Sequence, residues 1–168
     1  MDQRNSILLI VYLLTFIVFG LAQSVKAQLV SVSSAQLTEE AQAVYKGKVK
    51  AMKSEWNDEK SFIWTFVTLG VSETIKGDDM KGKDVEIKVP GGVVGEIGQK
   101  SSDQVTFAEG EEAVVFLGKE KYKDKEYFNV VRMVQGKFTV KDGKIQDKSV
   151  ESFLQGIKQA MEQKKEDN

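Results

Sequence analysis

The chain of 168 residues contains no cysteine, no histidine and one proline. Without cysteine it has no disulfide, no thiol nucleophile, no cysteine-based zinc site and no anchor for a lipoprotein-type lipid. Without histidine it has no imidazole for acid–base catalysis. It also lacks a surplus of either charge: 24 basic and 25 acidic residues leave a formal net charge of −1, and no basic tract stands apart. The electrostatic footprint of a nucleic-acid binder is therefore missing. No metal site and no cofactor are expected.

What is present reads as a globular protein. Hydrophobic residues make up 41% and charged residues 29%, and the length suits one domain with a real core. The exception is the start. Asp2 and Arg4 precede thirteen apolar residues at 7–19, ILLIVYLLTFIVF, which are short for a membrane crossing and match the core of a secretory signal. Val25 and Ala27 place small side chains at −3 and −1, which predicts cleavage between Ala27 and Gln28. Gly20 and Ala22 offer a second site, before Gln23, and an uncleaved anchor is the competing reading. The expected address is secreted or periplasmic, with no stable membrane insertion after cleavage. The scheme is a signal peptide at 1–27, a flexible leader at 28–37, a β-barrel domain at 38–147, and a C-terminal helix with a charged tail at 148–168.

Thr38-Glu39-Glu40-Ala41 reads as an N-cap with an acidic first turn. Alternation over 43–51 predicts a strand with one wet face. Residues 61–75, SFIWTFVTLGVSETI, are β-branched or aromatic and apolar on both faces, which predicts a long strand bent at Gly70. Strands at 85–89 and 113–117 follow, then a pair at 127–134 and 137–140 and an Asp142-Gly143 hairpin. The charged 119–126 stretch reads as a hairpin tip. Val150, Phe153, Leu154, Ile157 and Met161 share one helix face, capped by Asp147 or Ser149. The expected fold is mainly β: a small, closed or partly open OB-like β-barrel with a C-terminal amphipathic α-helix and a short N-terminal helical turn.

VPGGVVGEIGQ, residues 89–99, gathers four glycines and the proline. It precedes no helical pattern and lacks the Gly-Lys-Ser/Thr ending of a phosphate loop. The readings left are a turning loop, or a contact loop in which Pro90, Gly91 and Gly92 present Val93, Val94 and Ile97 to a partner, near Trp56, which stands among polar turn residues. Glu109, Glu111 and Glu112, and Asp78-Asp79, read as solvated turns, since neither group has calcium-loop order. Ser101-Ser102-Asp103 with nearby lysines is a weak Ser–Lys signal, so no catalytic residue is assigned.

The succession Val44-x-x-Gly47-x-Val49, Ile63-x-Thr65-x-x-Thr68-x-x-Val71-x-Glu73-x-x-Lys76-Gly77, VPGGVVGEIGQ, Phe107-x-x-Gly110-Glu111-Glu112 and Gln135-Gly136-Lys137-Phe138-x-Val140 resembles an uncharacterised family of small secreted bacterial proteins. That likeness covers nearly the whole mature chain and implies no activity. More distantly, Val44–Val49 and Val71–Gly77 are similar to netrin-like modules, the tissue inhibitors of metalloproteinases among them. This similarity implies an OB-type barrel only, because the inhibitors' zinc-chelating first cysteine and their disulfides have no counterpart here. The expected function is a non-catalytic module that binds an extracytoplasmic protein, peptide or envelope polymer through loops at one barrel end. The alternatives are a structural subunit of a surface assembly and a hydrolase using carboxylates or a Ser–Lys pair.

Overall fold

A computed structural model describes residues 32–100 and 103–166. The expected signal with its Ala27/Gln28 junction, and Ser101 and Ser102, lie outside the described residues. In chain order the elements are α1 (Ser34–Glu40), β1 (Ala43–Trp56), β2 (Ile63–Lys76), β3 (Asp84–Pro90), β4 (Gly92–Val94), β5 (Ile97–Gln99), β6 (Glu112–Tyr122), β7 (Lys125–Val130), β8 (Lys137–Thr139), β9 (Lys144–Ile145), β10 (Lys148–Ser149) and α2 (Val150–Glu166).

The protein is mainly β. Strands β1, β2 and β3 form an antiparallel meander. β6 pairs antiparallel with the first half of β1, then turns at Lys123-Asp124 into β7. β7 meets β3 in parallel at Phe128 and Ile87. The order β1-β2-β3-β7-β6-β1 is the ring of a five-stranded, OB-like barrel, narrowest in its pairing between β3 and β7. Strand alternation sends Val67, Leu69, Val71, Val85, Ile87, Val115 and Leu117 into the barrel.

The opposite faces of the same strands build a second core. Val44, Val114 and Phe116 point outward and meet Leu37 of α1 and Val150, Phe153, Leu154 and Ile157 of α2. α2 therefore flanks the barrel, and the expected helix face is the buried one. Ser149 Oγ accepts from the Ser152 N–H at 3.2 Å, as a cap does.

Four expectations change. The N-terminal helix starts earlier: Ser33, not Thr38, is its N-cap, because Ser33 and Gln36 close a capping box. Thr38 lies inside the helix, buried, its hydroxyl donating to the Ser34 carbonyl at 2.6 Å. The 127–134 segment does not pair with 137–140. β7 stops at Val130, a 3-10 turn follows at Met133–Gly136, and β8 pairs with β6 instead. Gly70 is itself paired, with Lys48; the register shifts lie beside it, skipping Lys50 in β1 and Ser72 and Ile75 in β2. The shifts turn Ile75 from the barrel interior into the second core. Finally, Trp56 is the last residue of β1, opposite Ile63, and not a turn residue.

Candidate functional site

Residues 89–99 form a hairpin. Pro90 ends β3 opposite Trp64. Gly91 and Gly92 then turn the chain at φ of 80° and 136°, in the left-handed region that glycine tolerates. Space requires glycine as well: a Cβ on Gly92 would stand 2.2 Å from Thr65 Oγ1. β4 and β5 pair across a two-residue Gly95-Glu96 turn.

The hairpin base is tied into the β1–β2 end of the barrel. The Gly91 N–H donates to the Ile63 carbonyl at 2.8 Å. The Ile63 N–H donates to Gln99 Oε1 at 2.7 Å. Buried Thr65 donates through Oγ1 to the Gly91 carbonyl at 2.7 Å, and Ser54 Oγ lies 2.8 Å from the same hydroxyl. Trp56 is half-buried beside this anchorage, across the ladder from Ile63. The neighbouring 57–62 turn is held by Asn57 Oδ1, which accepts from the Ser61 and Phe62 N–H groups.

Beyond the base the side chains face water. Val93 is 65% exposed and Ile97 56%, while Val94 is half-buried. Val93 stands opposite Gly98, and Ile97 opposite Val94, so the two exposed residues point to different faces of the hairpin. The geometry is a short hairpin, hydrogen-bonded to the barrel at its base, with apolar groups on both sides.

The candidate acids do not converge. Glu111 pairs with Lys137 at 2.6 Å and accepts from the Thr139 hydroxyl and the Ala108 N–H. Burial pushes its pKa up, and the hydrogen bonds from Lys137 and Thr139 outweigh burial and hold it below the usual value. The Asp79 carboxyl is lowered, chiefly by the Lys81 N–H. Arg132 lowers that of Glu40, which it grips at 2.7 and 2.8 Å. A general acid needs the opposite direction. Among the described residues no group of three acids is placed to hold a metal.

Sequence reading missed the outer face of β2, β3, β6 and β7. Phe62, Trp64, Tyr122, Tyr127 and Phe66 form a continuous aromatic strip, with successive ring centroids 4.8, 6.2, 6.3 and 5.2 Å apart. The Lys88 ammonium is buried in it, 3.7 Å from the Trp64 centroid, 3.8 Å from that of Tyr122 and 3.0 Å from Glu120 Oε1. Cation–π contact and ion pairing together satisfy this charge. A clue was present: a β2 apolar on both faces puts aromatics outside the barrel as well as residues within it. Compared with known protein families and with curated proteins, the chain matches none.

Proposed function

We propose that this protein is a non-catalytic binding module working outside the cytoplasm, secreted or periplasmic after cleavage between Ala27 and Gln28. It docks an extracytoplasmic protein or envelope component through the β4–β5 hairpin beside Trp56. One observation carries this reading: Val93 and Ile97 are held in water, 65% and 56% exposed, by an arm whose base is anchored through buried hydrogen bonds. Apolar surface gains about 25 cal/mol per Å² on burial, so a partner with an apolar cleft collects that gain without first ordering the arm.

The test is capture from native envelope by mature protein with a photocrosslinker at Glu96. Replacing Val93 and Ile97 together by Ser is expected to abolish the crosslinked product and leave the melting temperature nearly unchanged. A large fall in melting temperature, with capture intact in the folded variant, assigns those residues to stability instead. Export is read separately: intact mass of secreted material is expected to begin at Gln28, and a retained Met1 refutes the cleavage.

A further inference from the structure

A second feature lies away from the hairpin, on the outer face of the sheet formed by β1, β2, β3 and β7. There a groove of about 260 Å³ is lined by Phe66, Thr68, Glu86, Tyr127, Lys53 and Glu55, among others. Its floor is aromatic: the Phe66 and Tyr127 rings are 5.2 Å apart and tilted by 51°. Its rim is charged but balanced. Lys53 pairs with Glu55 at 3.0 Å and Lys125 with Glu86 at 3.2 Å, and the Lys125 ammonium also lies 4.6 Å from the Tyr127 centroid.

From this arrangement we infer that the groove is a subsite for a neutral saccharide chain. Each feature selects against another occupant. A phosphate-bearing polymer needs surplus cations, whereas both lysines of this rim already face carboxylates. A peptide adding as a strand needs an open backbone edge; β2 beneath the groove is paired with β1 on one side and β3 on the other, and the edge that β1 leaves unpaired past Lys48 is the side away from β2. A sugar ring offers what the groove can use. Its apolar C–H face lies on aromatic rings, and its hydroxyls donate to Glu55 and Glu86 and accept from Lys53. The volume falls under the 300–1,000 Å³ or so of pockets for drug-sized ligands, so the groove takes one segment of a longer chain.

The test is a titration of the mature protein with cellohexaose, maltohexaose and chitohexaose, followed through backbone amide shifts. A heparin fragment and an oligothymidylate serve as polyanion controls. The expected result is saturable shifts confined to β1, β2, β3 and β7 with at least one neutral hexasaccharide. Glu86→Gln and Tyr127→Ala each weaken that binding at least about tenfold, and Tyr127→Phe, which keeps the ring, retains it. The Val93→Ser/Ile97→Ser variant binds the sugar unchanged, which separates this site from the hairpin. No shift at the groove with any of the three sugars overturns the assignment. Binding of only the polyanions, or sugar binding indifferent to Glu86→Gln and Tyr127→Ala, overturns it equally.

Discussion

Gly47 and Gly70 are diagonal neighbours across β1 and β2, Gly47 opposite Val71 and Gly70 opposite Lys48, yet substitution acts differently at each. A Cβ on Gly47 would stand 2.4 Å from the Gly70 carbonyl oxygen, which is backbone and cannot swing aside. A Cβ on Gly70 would meet Lys50 Cε at the same distance, but that exposed side chain can move, at the cost of its ion pair with Asp84. Gly47→Ala is therefore expected to lose about 1–3 kcal/mol through overpacking, and Gly70→Ala under about 1 kcal/mol, the scale of a surface ion pair. Urea unfolding midpoints with equal slopes check the order. Glu111 supplies a pH test. Its folded pKa is lowered, so its contribution is full above the unfolded value of about 4.3 and fades as pH falls through the folded one. Wild type is expected to exceed Glu111→Gln in stability at neutral pH, with the gap closing below about pH 4. A gap that persists or widens in acid contradicts the assigned partners.

At the scale of elements, short pieces are held by side chains from distant strands. α1 has seven residues, too few to persist alone in water. Its first turn is closed by the Ser33–Gln36 box, the Lys76 ammonium donates to the Thr38 carbonyl and to that of the C-cap Ala41 at 2.6 and 2.5 Å, and Leu37 is buried beneath it. Ser33→Ala removes one of these supports and is expected to cost about 1 kcal/mol in thermal or urea unfolding, while Ser33→Asp, which can still cap, retains the stability. The hairpin shows the same logic in reverse. Thr65 and Gln99 fix its base, while Val93 and Ile97 stay exposed. Thr65→Val is accordingly expected to disturb the orientation of the arm and weaken capture more than replacement of either exposed apolar residue alone. Capture unaffected by Thr65→Val separates binding from the anchorage.

For the whole molecule, the central fact is that β1 and β6 serve two cores with alternate residues. Val44 and Val114 face the helices, and Tyr45 and Val115 face the barrel interior. Neither core survives intact if these strands separate, so unfolding is expected to be a single transition, with tryptophan fluorescence from Trp56 and Trp64 coinciding with far-ultraviolet circular dichroism. Ile157→Ala, made in α2, is then expected to lower both signals together by about 2–5 kcal/mol. A helix that melts first contradicts the shared-strand account. Alternation and composition alone determined much of this: the β class, the strands at 85–89 and 113–117, the apolar face of α2, and the turning residues Pro90, Gly91 and Gly92. These are local properties, written in periods of two and 3.6 residues and in the φ angles that single residue types allow. Tertiary structure alone decided the rest. Which strand receives β8, which way Ile75 points after the register shifts, and whether Phe66, Trp64, Tyr122 and Tyr127 meet across β2, β6 and β7 depend on contacts between residues far apart in the chain. A pattern confined to one segment carries no information about which distant segment will lie against it.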